Sequence, residues 1–209
     1  NEQPNLDCTM RRCEVVYGVH VFSVSDTVGH VDFLAESCLL REGPQPDPSP
    51  TTETTHGFTA YTDNPGLTAR IVNATITGFE AGYDAPANTT GENLLFHDNV
   101  IDVAPGSAAG ISHSLIPDGT ANGIAGNFQA VAVLNGTFAL VPGSAGIDAG
   151  NSTASGLGAL DLAGDPRVQD GDGDGVLSVN VGALESPSCA AMQQALELVR
   201  VGVPANPAA

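Results

Sequence analysis

An alternating run of aspartate and glycine is the part of the sequence best suited to chemistry, and the chemistry it suits is cation binding. In an EF-hand loop, carboxylates at positions 1, 3 and 5 bind calcium, and a glycine at position 6 allows the chain to turn sharply. This chain has the same spacing in Asp170, Asp172, Asp174 and Gly175. The run therefore predicts a calcium site.

The rest of an EF-hand loop is missing. Val181 stands at the twelfth position, where an EF-hand has its bidentate glutamate, and no flanking helix pair is evident. The alternative is an acidic turn without an ion, in which five aspartates between positions 161 and 174 would repel one another. Further oxygen ligands are available nearby: the backbone carbonyl of Val176 and the side chains of Ser178, Asn180, Glu185 and Asp148.

Candidate catalytic carboxylates are scattered along the chain. A glycoside hydrolase requires a pair of them, and Asp98 beside His97 is the best candidate, with His113 expected near the same stacked position as His97. Solvated surface groups are the interpretation we favour in so acidic a chain. The aspartates from which a pair might be assembled are Asp63, Asp84, Asp98 and Asp102.

A polysaccharide lyase is also poorly supported. Such an enzyme uses a basic side chain as its base together with groups that neutralise the uronate, yet lysine is absent. Arg167 follows Asp165-Pro166 and is expected to form a structural ion pair. Sugar-stacking aromatics are limited to Tyr17, Tyr61 and Tyr83, with no tryptophan. The remaining arginines are scattered: Arg11, Arg12, Arg41, Arg70 and Arg200.

The four cysteines do not have the spacing of a zinc site, and their even number suits an oxidising compartment. Cys8 and Cys13 are the expected local disulfide because they are close in sequence. Cys38 and Cys189 would pair only if the fold brought them together, and either is alternatively a buried free thiol.

The charge balance excludes several classes of function. The chain has 24 acidic and 6 basic residues, for a net charge of −18. Such a surface repels nucleic acid and anionic lipid, and no stretch is long and apolar enough for membrane insertion. Either solubility, including in salty surroundings, or a dedicated acidic binding face accounts for this composition.

Short apolar runs and numerous turns predict an all-β fold. With 25 Gly and 14 Pro, the composition favours short strands over helices. Aligning Cys38, Thr75, Asn99 and Ser114 gives spacings of 37, 24 and 15, of which 24 is near one coil of a β-solenoid. The interior of such a coil favours small aliphatic residues over aromatics, and Asn73 and Asn99 are candidates for stacked corner asparagines.

The chain divides into a β-solenoid domain at residues 1–187 and a short C-terminal helix with the start of a linker at residues 188–209. The excess length of the first spacing falls in a proline-rich extended loop at about 44–55, because proline cannot join a strand ladder. Ser186 or Ser188 is a candidate N-cap, and Met192, Leu196 and Val199 form one helical stripe.

The region from about His113 to Glu185 resembles the C-terminal part of bacterial right-handed parallel β-helix surface proteins of the pectate-lyase-like, choice-of-anchor type. Residues 144–150, 161–167 and 180–185 match the family pattern "SPAIDAG … D.DG.PR … DIGAYE". Gly146, Asn180 and Leu184 depart from it, and Asn180 replaces an aspartate that would add charge to the cation site. The resemblance implies a right-handed parallel β-helix that is exported and held at the cell envelope.

Together these features predict a non-catalytic, extracellular or cell-surface structural or adhesive protein with a structural calcium site. Uncapped solenoid ends expose strand edges, so its expected partners are further copies of itself, or another surface protein or fibre. The alternative is a polysaccharide-active or carbohydrate-binding β-helix protein, for which glycans would be the partner.

Overall fold

The computed structural model describes residues 5–23, 30–43, 54–62, 67–85 and 88–186. Within these residues the protein is all-β except for one 3-10 turn, Ala108–Gly110. Most of the predicted loop at 44–55, the predicted C-terminal helix and Cys189 lie outside the described residues. In the part of the chain that is described, no helix has the length and apolar character needed to cross a membrane.

The described strands are short and follow one another in repeating groups of three. The first six are β1 (Asn5–Arg11), β2 (Glu14–Val16), β3 (Val19–Ser23), β4 (His30–Glu36), β5 (Leu39–Arg41) and β6 (His56–Thr62). The next six are β7 (Leu67–Val72), β8 (Thr75–Thr77), β9 (Ala81–Asp84), β10 (Thr89–Glu92), β11 (Leu95–His97) and β12 (Ile101–Val103), and β13 (Ile111–Ser112) begins a fifth group.

Every third strand joins the same sheet, and all of these pairs are parallel. The first sheet has the order β1-β4-β7-β10-β13, the second β2-β5-β8-β11 and the third β3-β6-β9-β12. We call each group of three strands, one per sheet, a coil. Three parallel sheets built from successive coils are compatible with a parallel β-helix, and parallel strands that are buried suit the short apolar runs of the sequence.

The strand register shows where the coil alignment made from the sequence was right and where it was wrong. Thr75 pairs with Leu95, and Leu95 bridges to Leu115, so one coil contains 20 residues here. Because Leu39 pairs with Thr75, Cys38 is equivalent to Ala74 rather than Thr75. Ser114 precedes Leu115 and so belongs to the row of Cys38 and Ala74, whereas Asn99 belongs to neither row. Short apolar runs look alike in sequence, and only the backbone ladder distinguishes them.

The interior contains stacked aromatic rings, although the sequence predicts that it favours small aliphatic residues. Phe58 and Tyr83 are fully buried register partners, and their rings stack with centroids 5.5 Å apart. Phe33 adds a third ring 6.2 Å from Phe58. The expectation that aromatics fit poorly inside was therefore wrong, because equivalent positions on successive coils allow rings to stack on one another.

After β13 the chain forms only isolated bridges, of which Leu95 with Leu115 and Leu115 with Phe128 continue the parallel stacking, and its later part lies against the outside of the coils. Residues 113–186 contain isolated bridges but no further strand. A second hydrophobic cluster joins Leu95 and Leu115 of the coils to Leu140, Ile147 and Val181. We call residues 144–186 the terminal segment, and it contains all three stretches that resemble the β-helix surface proteins.

Candidate functional site

The terminal segment lies along one corner of the coil stack, between the first and second sheets. At this corner each coil turns through one residue in the left-handed region, with φ of 53° at Ser37, 49° at Asn73 and 56° at Asn93. Asparagine tolerates this conformation better than most residues, which explains its place here. All three side chains are fully buried beneath the terminal segment, so we call them the corner row.

Two asparagines of the corner row form a ladder, as the sequence predicted for Asn73. Asn93 donates through Nδ2 to Oδ1 of Asn73 at 3.0 Å. Asn73 in turn donates to the backbone carbonyl of Asn180 at 3.0 Å, and the Asn151 amide donates to Asn93 Oδ1 at 2.7 Å. Asn99, the other predicted member, lies at a different corner, where it accepts from the Phe79 amide.

The predicted calcium run turns back on itself beside Asp148. Ligand atoms of Asp148, Asp170 and Asp172 all lie within 4.8 Å of one another. Asp148 Oδ2 accepts from the amides of Gly171 and Asp172, both at 2.9 Å. Asp170 accepts from the amides of Gly173 and Gly175 at 2.7 and 3.0 Å. Calcium–oxygen distances of about 2.4 Å place opposite ligands about 5 Å apart, so this spacing fits one such ion.

Asp148 is the carboxylate whose surroundings most favour a cation. Its Oδ1 atom is buried and has no hydrogen-bond partner among the described residues. Burial raises the pKa of Asp148, and the negative charges of Asp172 and Asp170 add to that rise, although the two backbone hydrogen bonds oppose it. A cation would remove this repulsion. From the sequence, Asp148 was only a supplementary candidate ligand, because Asp148 lies more than twenty residues before the aspartate–glycine run.

The other predicted ligands lie in different positions. Asp174 and Val176 are exposed, and Asp174 Oδ1 accepts from the Val176 amide at 2.7 Å. Asn180 is buried, and its Oδ1 accepts from the Asp148 amide at 2.9 Å. Both oxygens of Glu185 are occupied, one by Arg167 and one by the Asn180 amide. Asn180 therefore holds the backbone of Asp148, and Glu185 holds the backbone of Asn180. Neither residue adds a ligand to the cluster.

Arg167 forms the structural ion pair that the sequence predicted. Its fully buried guanidinium donates to Glu185 Oε1 at 2.8 Å and to the Ala183 carbonyl at 2.9 Å. Nη2 also donates to Ser37 Oγ at 2.5 Å, which ties the terminal segment to the corner row. Asp161, also buried, accepts from the Glu185 amide at 2.8 Å. Sequence reasoning missed Ser37, because nothing in a lone serine distinguishes it.

Burial raises the pKa of Glu185 to about 7. Arg167 and the Asn180 amide lower it, and the nearby charge of Asp161 raises it further. Glu36, which is 2% exposed, accepts from the same Ser37 hydroxyl that receives a hydrogen bond from Arg167. Among the carboxyl groups of this network, Glu185 is therefore the one that favours holding a proton.

Cys8, Cys13 and Cys38 are free thiols, so the expected Cys8–Cys13 disulfide is not formed in the structure. Cys8 lies within β1, whereas Cys13 follows the corner and precedes β2, where its Sγ donates to the Arg11 carbonyl at 3.1 Å. Cys38 is fully buried, and burial raises its pKa to about 11. A partner for Cys38 in Cys189 is untested because that residue lies outside the described part of the chain.

The candidate catalytic histidines lie apart. His97 Nδ1 is 3.4 Å from a carboxylate oxygen of Asp98, which is 79% exposed, and 3.2 Å from Thr77 Oγ1. His113 lies at the corner that follows β13, 3.5 Å from Glu92. His97 belongs to the second sheet, so the expectation that the two histidines share a stacked position was wrong.

The candidate aspartates also have separate surroundings. Asp84 ends β9 and lies 3.6 Å from His56 Nδ1. Asp102 lies on β12, where it and Asp118 accept from each other's backbone amides at 2.9 and 3.0 Å. Burial is the main cause of the raised pKa of Asp102. Asp63 lies outside the described residues.

A groove of about 460 Å³ lies on the first sheet. Two rows of outward-facing side chains form its floor. In the strand register, Asp7 pairs with Asp32 in one row and Leu34 pairs with Arg70 in the other. Arg70 donates to Ser155 Oγ at 2.7 Å, so the terminal segment borders the groove. The polar lining residues are Asp7, Thr9, Asp32, Thr68, Arg70, Asn88 and Thr90.

In the comparisons with known proteins, no protein-family model, no curated protein and no solved structure matches the chain. The sequence motifs and the geometry of the terminal segment are therefore the basis for a functional proposal.

Proposed function

We propose that this chain is a non-catalytic structural domain of an exported protein, located outside the cell or at its surface. In this proposal the three parallel sheets are a right-handed parallel β-helix of the kind found in bacterial surface proteins. Its partners are further copies of itself or another surface protein or fibre. A calcium ion stabilises the terminal segment.

The observation that carries the proposal is how the three motif stretches meet. Asp148 of the first stretch donates its amide to Asn180 of the third. Arg167 and Asp161 of the second stretch bind the side chain and the backbone of Glu185 in the third. Because the distinctive residues bind one another and the corner row, their role is to hold the chain against the coils, which is a structural task.

The calcium part of the proposal depends on Asp148, Asp170 and Asp172. Three carboxylate groups with ligand atoms within 4.8 Å repel one another unless a cation lies between them. Backbone amides already neutralise some of this charge, but the buried Asp148 Oδ1 atom receives none of those hydrogen bonds. An ion there would join the first motif stretch to the aspartate–glycine run.

Thermal unfolding with EDTA, followed by addition of calcium, tests the calcium site. At a calcium concentration of 100 Kd, binding to the folded state alone stabilises it by about 2.7 kcal/mol. For a chain of this size, we expect Tm to rise by roughly 5–10 °C on that basis. Asp148→Asn should remove most of the rise.

Asp165→Asn is the matched control, because Asp165 is an exposed carboxylate of the same segment outside the cluster. It should retain the full response to calcium. Equal Tm values in EDTA and in calcium for the unaltered protein would show that the run is a solvated turn.

The groove on the first sheet supports a second candidate function, the binding of a glycan. Carboxylates, threonine hydroxyls, an amide and Arg70 line it, and these groups bind sugar hydroxyls. Isothermal titration with neutral and acidic oligosaccharides tests this function. Asp32→Asn, in the groove, should weaken binding by at least tenfold, whereas the distant Asp165→Asn should not. If no oligosaccharide binds at millimolar concentration, glycan binding is ruled out and the structural proposal is the one that remains.

A further inference from the structure

Two of the free thiols occupy the same place on neighbouring coils. Cys13 and Cys38 each follow a corner residue and precede the strand of the second sheet. Glu14 pairs with Leu39 in that sheet, and the Leu39 amide donates to the Cys13 carbonyl at 2.9 Å. The strand register therefore places Cys13 directly against Cys38.

The two side chains also have the same orientation. Each Sγ atom donates to the carbonyl of the residue two positions earlier, Cys13 to Arg11 at 3.1 Å and Cys38 to Glu36 at 3.3 Å. Cys38 belongs to the interior hydrophobic cluster, and the partly buried Cys13 packs against that cluster. Both thiols thus point toward the interior from successive coils.

Neighbouring parallel strands lie about 4.8 Å apart, and disulfides form between Cα atoms about 4.4–6.8 Å apart. We propose that Cys13 and Cys38 are an oxidation site at which a disulfide joins the first coil to the second. The bond would reinforce β2, a strand that forms only three register pairs with β5. Export to a compartment that contains small-molecule disulfides would favour its formation.

The bond forms by two thiol–disulfide exchanges with oxidised glutathione, a small-molecule disulfide. The thiolate of Cys13, which is partly exposed, attacks one glutathione sulfur and releases one reduced glutathione. The thiolate of Cys38 then attacks the Cys13 sulfur of the mixed disulfide and releases the second. Two protein thiols are oxidised, one glutathione disulfide is reduced to two thiols, and no other electron acceptor is needed.

The second exchange is expected to be the slower one. Burial is the main cause of the Cys38 pKa of about 11, and the neighbouring Cys13 sulfur raises it further. Only a small fraction of Cys38 is therefore thiolate at neutral pH, and the rate of closure should increase with pH.

The distribution of arginines makes the test direct. The full chain is incubated with oxidised glutathione, remaining thiols are alkylated in denaturant, and the protein is digested with trypsin without reduction. Because cleavage follows Arg12 and Arg41, one peptide, residues 13–41, contains both Cys13 and Cys38. We expect this peptide to be unalkylated and two hydrogen atoms lighter than its reduced form, and to appear faster at pH 9 than at pH 7.

Every other bridge gives a different product. Pairing of Cys8 with Cys13 would join residues 1–11 to this peptide, and pairing of Cys38 with Cys189 would join it to residues 168–200. Either product, or a peptide carrying glutathione on Cys13 and an alkylated Cys38, would overturn the proposal.

Two variants serve as controls. Cys38→Ala should abolish the bridge, and it should fold because the equivalent position on the next coil is a buried alanine, Ala74. Cys8→Ala should leave the bridge intact. Loss of the bridge in Cys8→Ala would show that Cys8 takes part in it and would contradict the assignment.

Discussion

At the scale of single residues, the terminal segment is held by charged groups that are almost fully removed from water. Arg167 and Asp161 are 0% exposed, and Glu185 is 5% exposed. Removing one partner from a buried ion pair is costly because the other charge is left unpaired. These residues therefore hold the stretches of the terminal segment to one another, and Arg167 also ties them to Ser37 of the coils.

Glu185 should make the stability of this attachment depend on pH. Its pKa rises from an ordinary 4.5 to about 7 in the folded state, so between these values the folded protein binds more protons than the unfolded chain. The stabilisation is complete below about pH 4.5 and is lost as the pH rises through 7. A shift of this size corresponds to a free energy of unfolding on the order of 3 kcal/mol.

Urea unfolding of the unaltered protein and of Glu185→Gln at pH 5.5 and 8 measures this effect. The unaltered protein should lose more stability between the two pH values than the variant does. Asp165→Asn should retain the larger pH dependence, which separates Glu185 from the general effect of negative charge. Equal losses in the unaltered protein and Glu185→Gln would contradict the assignment of the proton to Glu185.

At the scale of elements, the terminal segment fits the corner because some of its residues have no side chain. A Cβ atom at Gly158 would lie 2.5 Å from Oε1 and 2.7 Å from Oε2 of the buried Glu36 carboxylate. The backbone of the segment thus packs directly on the end of β4. A larger residue here would require either the Glu36 carboxylate or the segment to move.

Gly158→Ala should therefore detach this part of the segment. We expect a loss of about 1–3 kcal/mol in the free energy of unfolding, as for overpacking in a core. Hydrogen exchange should also become faster at amides of residues 157–167. Gly136→Ala is the control, because a Cβ atom there would meet nothing within 4 Å. Equal stability of the two variants would show that the contact with Glu36 is easily relieved.

At the scale of the whole molecule, strand edges favour association between copies of the chain, and the net charge opposes it. β1, β2 and β3 are the outermost strands of the three sheets within the described chain, and such edges favour pairing with another chain. A net charge of −18 makes copies repel one another. Salt screens that repulsion over about 10 Å at 0.1 M and about 3 Å at 1 M.

Self-association should therefore depend on salt. We expect light scattering at high protein concentration to show monomers in low salt and larger assemblies in 1 M NaCl. Sucrose at equal osmolality should not produce assemblies, because it does not screen charge. Monomers throughout this range would rule out stacking of copies and leave another surface protein or fibre as the proposed partner.

Local features of this molecule could be predicted from the sequence because nearby residues determine them. Gly and Asn at turns, short apolar strands and an ion pair for Arg167 depend on backbone preference, burial and charge, and the structure contains each of them. The aspartate–glycine run turns back on itself, as both a calcium loop and an acidic turn without an ion would. Asn73 was placed correctly at a corner because its side chain suits a left-handed conformation.

Only the tertiary structure decided which distant residues meet. Asp148 joins Asp170 and Asp172, Asn93 replaces Asn99 in the ladder, and Ser37 bonds to Arg167 across 130 positions of sequence. The sequence by itself determined a parallel, turn-rich β chain with an acidic terminal loop. The coil register determined the rest, because contacts between coils depend on how many residues each corner takes up, and short apolar runs do not encode that number.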